Sequence, residues 1–289
     1  MEPRVANIRE LLSRAEDHLV QNGVPNARRN AEWMLCHTLG WSMLDLYVQS
    51  GSRLGDDRLD AYWQRVERRA RREPLQYILG TTEFMSLPFD IRPGVFVPRP
   101  DTEVLVERAE TRLRSRPLHE PLTVLDLCCG SGIIGVSLAQ RIGNLSVTSV
   151  DVSVEAADLT AHNAGKNGVA DRVRVIQADA FAFLDGTHGS FTAIVCNPPY
   201  IESGELAALP REVREHEPML ALDGGRDGLD FYRRVIPMLR PRLAADGFVM
   251  FEIGDTQGAA VSSMLRETGF AGVDVAKDLS GRDRVVVGS

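Results

Sequence analysis

The 289-residue chain is short of several things, and each shortage removes a class of function. It has four cysteines, Cys36, Cys128, Cys129 and Cys196, and none are spaced Cys-x-x-Cys as a zinc site would require. Cys128 and Cys129 are adjacent, too constrained for an ordinary disulfide with each other. Free thiols in a reducing cytosol are the simplest reading. Six histidines show no clustering that suggests a metal site or a nucleophile triad, so no metal is expected. No run is long and apolar enough to span a bilayer. Met1-Glu2-Pro3-Arg4 leads into an amphipathic stretch, not an apolar signal core. A net charge of −7 argues against gripping nucleic acid with the whole surface and leaves room only for a local basic patch. Repeats and low-complexity segments are absent. The expectation is a cytoplasmic protein with no membrane contact.

What remains is an ordinary globular composition, 44% hydrophobic and 25% charged, with length for one or two domains. Residues 4–72 read as short helices. Ile8, Leu11, Leu12, Ala15 and Leu19 fall at helix spacing, and Gly23 and Pro25 close that helix and open the next. Asp56 or Asp57 is a candidate cap for a helix carrying Leu59, Tyr62, Trp63 and Val66. Several helices without strands imply a small bundle. Its basic cluster, Arg68, Arg69, Arg71 and Arg72, reads as a solvated face or as a contact for RNA or an acidic protein. Between Leu75 and Val97 the pattern suggests a β-hairpin or short ribbon linking two domains. A helix follows from Thr102 to about Arg114, and residues 115–121 form a polar linker. From Leu122 strands and helices alternate: strands at 122–127, 145–150, 172–176, 191–196 and 248–253, with two more near 273–276 and 284–287. That alternation predicts an α/β domain with a mostly parallel sheet and helices on both faces.

Cys129-Gly130-Ser131-Gly132-Ile133-Ile134-Gly135 sits between the first strand of this region and its helix, and contains Gly-x-Gly-x-x-Gly. Asp151 ends the next strand, at the distance of a ribose-binding carboxylate. Together they point to a nucleotide-type cofactor. Asp126 stands just before the glycines, where a carboxylate would repel a pyrophosphate. S-adenosylmethionine instead presents an ammonium and a sulfonium, which suit Asp126 directly, through ordered water or through backbone contacts. Asp151 can accept both ribose hydroxyls, and Asp179 after the third strand can accept from the adenine amino group. Three acids at three successive strand ends fit one adenosyl sulfonium better than a dinucleotide.

The strand at 191–196 is stopped by Asn197-Pro198-Pro199-Tyr200. Alone, these four residues fit a strand-ending turn or a ligand site at the carboxyl end of an α/β sheet. Beside an adenosyl sulfonium they imply methyl transfer to an amide-like or aryl-amine nitrogen. Such a nitrogen is a poor nucleophile with two N–H donors. The Asn197 side-chain oxygen and the Pro198 carbonyl can accept those hydrogens, aiming the lone pair at the methyl group. The Tyr200 ring can pack on the planar group and favour the growing cation. This chemistry is a direct in-line displacement without a covalent enzyme intermediate.

From Glu73 onward the chain resembles the release factor glutamine methyltransferases, the PrmC/HemK family. The resemblance rests on Glu73-Pro-Leu-Gln-Tyr-Ile-Leu-Gly80, Pro98-Arg-Pro-Asp-Thr-Glu103, Asp126-Leu-Cys-Cys-Gly-Ser-Gly132, Asp151-Val-Ser153 and Asn197-Pro-Pro-Tyr-Ile201. It continues through Asp223-Gly-Gly-Arg-Asp-Gly228, Glu252-Ile-Gly254 with Gln257, and Asp278-Leu-Ser-Gly-Arg-Asp-Arg284. It implies a class I S-adenosylmethionine-dependent methyltransferase, Rossmann-like, with a mostly parallel seven-stranded sheet and a small N-terminal helical-bundle domain. The implied boundaries are 1–82 for a substrate-recognition domain, 83–97 for a hairpin linker and 98–289 for the methyltransferase domain. The implied substrate is the glutamine amide of the Gly-Gly-Gln loop of peptide-chain release factors, with S-adenosylhomocysteine as product. By the same resemblance, Cys128, Cys129, Gly130, Ser131, Gly132, Asp151, Asp179, Ala180 and Asn197 contact the cofactor, with Asp126 beside them. Asn197, Pro198, Pro199 and Tyr200 hold the substrate, with Arg99 and Glu103 orienting the surround or forming linker salt bridges. The family often has Gly-Thr where this chain has Cys128-Cys129, which leaves the backbone less free here, and some members carry a large aromatic ring at Ala180. Loop 223–228 reads as bordering the substrate cleft, and Glu252 as a cap or a cleft residue. A monomer without direct nucleic-acid binding is expected. The competing readings are an adenine methyltransferase needing base flipping, a glutamine methyltransferase acting on a ribosomal protein, and a non-catalytic translation-binding protein.

Overall fold

The computed structural model describes residues 7–117, 120–186 and 189–289; residues 4–6 of the expected helical stretch and 118–119 of the expected linker lie outside them. One compact unit runs to Gly80 and also takes in Pro210–His216, and the other comprises Thr81–Leu209 and Glu217–Ser289.

The first unit is helical: α1 (Ile8–Gln21), α2 (Ala27–Leu39), α3 (Met43–Val48), α4 (Asp56–Ala70) and α5 (Leu75–Leu79). Asn7 starts α1 through a capping box, its side chain accepting from the Glu10 N–H while the Glu10 carboxylate accepts from the Asn7 N–H. The apolar face read from the sequence is the buried one: Leu11, Leu12, Ala15 and Leu19 pack with Ala31, Met34, Leu35, Tyr62 and Val66. Gly55, not Asp56 or Asp57, occupies the cap of α4; both acids sit in its first turn, where they favour the positive end of the helix dipole. The expected hairpin does not begin at Leu75. Pro74 opens α5 and Gly80 closes it in the left-handed region at φ 72°.

The basic cluster is largely consumed inside this unit. Arg69 donates to Glu212 Oε1 at 2.8 Å and Arg72 to Glu212 Oε2 at 2.6 Å, while Arg68 pairs with Glu73. Arg71 alone of the four is exposed. The solvated-face reading therefore fails for most of the cluster, because a carboxylate distant in sequence sits among these guanidiniums.

The second unit opens with a hairpin, β1 (Thr81–Phe84) and β2 (Leu87–Asp90). Its turn residues, Met85 and Ser86, both have positive φ (52° and 63°), as a two-residue hairpin turn demands. Then follow α6 (Glu103–Arg114), β3 (Leu122–Leu127), α7 (Ile133–Arg141), β4 (Leu145–Asp151), α8 (Val154–Lys166), β5 (Val173–Gln177), α9 (Ala180–Gly186) and β6 (Phe191–Cys196). The helix α10 (Arg211–His216), which groups with the first unit, precedes α11 (Asp230–Leu239), β7 (Leu243–Glu252), α12 (Gly258–Glu267), β8 (Val273–Lys277) and β9 (Asp283–Gly288). The seven strands lie in the order β5-β4-β3-β6-β7-β9-β8. All pairs are parallel except those made by β9, which runs against both neighbours. Side chains alternate between the two faces: Val124 and Val195 join one apolar core, Leu125, Ile194 and Cys196 the other. The chain winds outward from β3 to β5, then returns to β6 on the opposite side of β3. The carboxyl ends of β3 and β6 therefore flank the point where strand order reverses, the crevice where open α/β sheets bind ligands.

Candidate active site

Leu127, the last residue of β3, is in register with Cys196, the last of β6. The glycine loop and Asn197-Pro198-Pro199-Tyr200 thus leave adjacent strands side by side. Gly130 and Gly132 take positive φ (58° and 82°), and Cys128 does the same at 58° without being glycine. The expected loss of backbone freedom at Cys128 is real, since a side chain there costs about 1–2 kcal/mol relative to glycine. The loop is held from α8: Thr160 donates to the Gly130 carbonyl at 3.0 Å and Asn163 to the Ser131 carbonyl at 2.8 Å. A methyl at Gly132 would lie 2.9 Å from Thr160 Cγ2, so glycine is needed there for space as well as conformation. Neither Thr160 nor Asn163 carries a local signal in the sequence.

The three strand-end acids differ. Asp151 Oδ2 accepts from Gly130 N at 2.8 Å and Oδ1 from Ser153 N at 3.0 Å, leaving each oxygen further acceptor capacity. Burial pushes its pKa up. Asp179 is exposed and caps α9, with Oδ1 accepting from Phe181 N and Ala182 N at 3.0 and 2.9 Å; the next residue, Ala180, is buried. Asp126 is fully buried. Its Oδ2 accepts from Gly135 N at 3.0 Å, and Oδ1 has no hydrogen-bond partner. Burial pushes its carboxyl up to about 7, opposed by the Gly135 N–H and reinforced by Asp151. Asp126 thus lies beneath the glycine segment, tied to the backbone of α7 at Gly135, with one oxygen still unpartnered.

Asn197 Nδ2 donates to Thr102 Oγ1 at 3.3 Å, which turns its Oδ1 away from Thr102. Pro198 is buried, and Pro199 and Tyr200 are partly so. The Tyr200 ring packs on the core of its sheet face, and its hydroxyl donates to Glu252 Oε1 at 3.3 Å. The main chain at Tyr200 is clamped too. Gln257 Nε2 donates to the Tyr200 carbonyl at 2.9 Å and to the Gly228 carbonyl at 3.2 Å. Ile201 N–H donates to the Leu222 carbonyl at 3.0 Å, and Gly224 N–H to the Ile201 carbonyl at 2.8 Å. A methyl at Gly224 would lie 2.8 Å from Tyr200 Cα, and one at Gly228 would lie 2.3 Å from the Tyr200 carbonyl oxygen. The glycines of loop 223–228 therefore serve close backbone approach.

Each polar side chain of the Pro98–Glu103 segment fastens a different element. Arg99 donates to Glu217 Oε1 at 2.6 Å and stacks over Phe96 at 4.7 Å. Glu217, with a nearly inaccessible side chain, also accepts from Val97 N at 3.2 Å. Asp101 lies 3.5 Å from Arg284. Glu103 Oε1 accepts from Met85 N at 2.7 Å and secures the hairpin turn. Arg99 and Glu103 thus act within the protein, and Glu217 is the partner that sequence reasoning missed.

S-adenosylmethionine fits these residues. The loop 128–132 carries no cationic side chain, a buried acceptor on Asp126 stands without a partner, and Asp151 retains acceptor capacity beside the glycines. Among the described residues no group of three or more His, Cys, Asp or Glu side chains is arranged to hold a metal ion, and no helix is long and apolar enough to cross a membrane.

Comparison with known proteins agrees with this geometry. Residues 10–80 match the PrmC N-terminal domain and residues 88–224 the methyltransferase small domain. The chain is 43% identical over 286 residues to a release factor glutamine methyltransferase of Geobacter sulfurreducens, covering 99% of this chain and 98% of that one. It is 40% identical over 278 residues to the protein of that name from Moorella thermoacetica, covering 96% of each. A crystal structure of a methyltransferase from Pyrococcus furiosus shares the fold, with a TM-score of 0.50 at 16% identity over 71% of this chain and 89% of that one. The fold is the class I methyltransferase fold expected from the sequence, and the chain belongs to the release factor glutamine methyltransferase family.

Proposed function

We propose that this chain methylates the side-chain amide nitrogen of the glutamine in the Gly-Gly-Gln loop of peptide-chain release factors, using S-adenosylmethionine. The observation that carries the reading is Asn197 at the end of β6, its side-chain nitrogen held by Thr102, beside the glycine loop that ends β3. Bound S-adenosylmethionine supplies an electrophilic methyl group.

The protein's part is to hold and align. Asp151 accepts from the ribose hydroxyls, Asp179 and the buried Ala180 border the adenine, and Cys128 to Gly132 with Asn197 line the remaining surface. Asn197 Oδ1 and the Pro198 carbonyl accept the two hydrogens of the substrate amide, holding its lone pair toward the methyl donor and stabilising the positive charge that develops. The Tyr200 ring stacks on the planar group. Pro199 keeps the segment rigid, having no N–H to offer and a fixed φ. As the N–C bond forms the S–C bond breaks, S-adenosylhomocysteine departs, and the surplus proton on the nitrogen passes to water afterwards, so no strong base is needed. The helical unit holds the release factor. The protein acts in the cytoplasm as a monomer, a setting that its four unpaired cysteines suit.

The near-full-length relatives carry the release-factor name, which favours this substrate over a ribosomal protein or a nucleic-acid adenine. Labelled S-adenosylmethionine incubated separately with release factor, ribosomal protein and DNA tests it. Label is expected on the release factor; label on DNA or ribosomal protein without it would overturn the proposal.

A further inference from the structure

Gln257 caps α12 and is buried, and three parts of the chain meet on its side-chain amide. Oε1 accepts from the Gly254 N–H at 2.9 Å, in the turn that leaves β7. Nε2 donates to the Tyr200 carbonyl at 2.9 Å and to the Gly228 carbonyl at 3.2 Å. The main chain of Gln257 is anchored as well: its N–H donates to the Gly254 carbonyl at 3.0 Å, and its carbonyl accepts from the Val261 N–H of α12 at 3.0 Å. Both amide hydrogens and the amide oxygen are therefore in use, and the reaction proposed above gives this residue no task.

We propose that Gln257 is a positioning residue: it locks Asn197-Pro198-Pro199-Tyr200 and loop 223–228 together, so that the Pro198 carbonyl and the Tyr200 ring meet the substrate amide already in place. The inference rests on the reading that this motif holds the glutamine amide. Its logic is the direction of protons. The carbonyl oxygens of Tyr200 and Gly228 point at one spot, and they repel unless a group with two protons stands between them. A primary amide is such a group, and here its own oxygen is committed to Gly254, so the amide has one satisfied orientation. Reversed, it would set an oxygen against two oxygens and an NH2 group against an N–H. A methyl at Gly228 would lie 2.4 Å from Gln257 Nε2 and 2.3 Å from the Tyr200 carbonyl oxygen, so only glycine leaves room for this arrangement.

Fixing the Tyr200 carbonyl fixes the peptide plane between Tyr200 and Ile201. Ile201 is the residue that pairs with the neighbouring loop, donating to the Leu222 carbonyl and accepting from the Gly224 N–H. Toward the substrate, the φ of Pro199 is set by its ring, so few bonds can turn between the Tyr200 carbonyl and the Pro198 carbonyl. At the far end of the motif Thr102 holds Asn197. The four residues are thus held at both ends, by Thr102 before α6 and by Gln257 at the start of α12. Acceptors held in this way do not have to be moved into place as charge develops, and the gain appears in kcat.

The test compares Gln257→Met, Gln257→Glu and Asn197→Ala in single-turnover methylation of a release factor, each variant checked for folding by its thermal melt. Gln257→Met keeps the length and removes both donors. It should lower the rate about 10- to 100-fold, the loss that a misplacement of about 1 Å brings, with cofactor affinity within about threefold of wild type. Gln257→Glu carries a signature of its own. Burial and the two carbonyl oxygens raise the pKa of the introduced carboxyl, and only its neutral form has a proton to give. The rate of Gln257→Glu relative to wild type should therefore rise as the pH falls from about 8 to about 6, while that of Gln257→Met relative to wild type stays level. A mere loss of packing gives no such rise. In the wild-type protein, isotope-edited NMR should find the Gln257 side-chain N–H protons exchanging at least about tenfold more slowly than those of the exposed Gln140. Folded Gln257 variants with the wild-type rate at both pH values, alongside an inactive Asn197→Ala, would overturn the positioning role and leave the substrate clamp intact. Exchange at Gln257 as fast as at Gln140 would overturn it too. Asn197→Ala at near wild-type rate would overturn the clamp and this inference with it. If Gln257→Glu does not fold, Gln257→Met at the wild-type rate overturns the proposal.

Discussion

Asp151 Oδ2 accepts the backbone N–H of Gly130 at 2.8 Å, so the acid that ends β4 is fastened to the glycine loop that ends β3. One side chain both shapes the loop and offers its remaining lone pairs to a ligand. Asp151→Asn keeps the size but can turn an NH2 group toward an N–H or a ribose hydroxyl. Cofactor affinity should fall at least about tenfold, a hydrogen bond to a charged group being lost. Titration calorimetry measures it.

Gly135 is the last glycine of the loop motif, and its role is packing. A methyl there would stand 2.8 Å from Asp126 Oδ2, 2.9 Å from Ser149 Oγ and 2.9 Å from Val147 Cγ1. Gly135→Ala must push α7 off the sheet and is expected to cost about 1–3 kcal/mol of stability. Chemical denaturation gives the figure.

Asp126 makes the stability of the cofactor-free protein depend on pH. Its folded pKa, raised mainly by burial to about 7, lies above the unfolded value of about 4. The destabilising contribution is absent below about 4, grows as pH rises, and is complete above about 7. Glu252 acts in the same direction. Asp126→Asn should therefore melt at higher temperature than wild type at about pH 8, with a shallower decline between about 4 and 7, yet bind the cationic cofactor more weakly. Thermal melts across that range measure both effects.

In the helical unit, Glu212 is held by Arg69 and Arg72, whose hydrogen bonds lower its pKa to about 2 against the opposing effect of burial. That stabilisation is present above the unfolded glutamate value of about 4 and is lost as pH falls toward 2. Glu212→Ala leaves two guanidiniums facing each other and should cost about 2–4 kcal/mol at neutral pH. The variant's loss should shrink in acid, as denaturation at two pH values will show.

The elements that were legible in the sequence have local causes. The strands at 122–127 and 191–196 are apolar runs bounded by polar and proline residues, and they form as read. The glycine loop is legible because Gly130 and Gly132 meet a conformational demand. Long-range partners leave no such trace. Glu212 lies 143 residues from Arg69, so a cluster that pairs internally looks like a basic face. Glu217, Thr160 and Asn163 hold functional segments from distant parts of the chain, and nothing beside them announces it. The hold of Asp126 on α7, through the Gly135 N–H, likewise becomes visible only once the helix is packed on the strand.

Everything proposed for the reaction turns on the Asn197 side chain accepting a hydrogen of the glutamine amide. The direct measurement is single-turnover methylation of a release factor by wild type and Asn197→Ala, with cofactor affinity measured on the same samples. The predicted result is cofactor binding within about threefold of wild type and a rate lower by about 100-fold or more, the scale of losing one preorganised contact to developing charge. A variant that binds cofactor and methylates the glutamine at near the wild-type rate would show that Asn197 does not hold the amide.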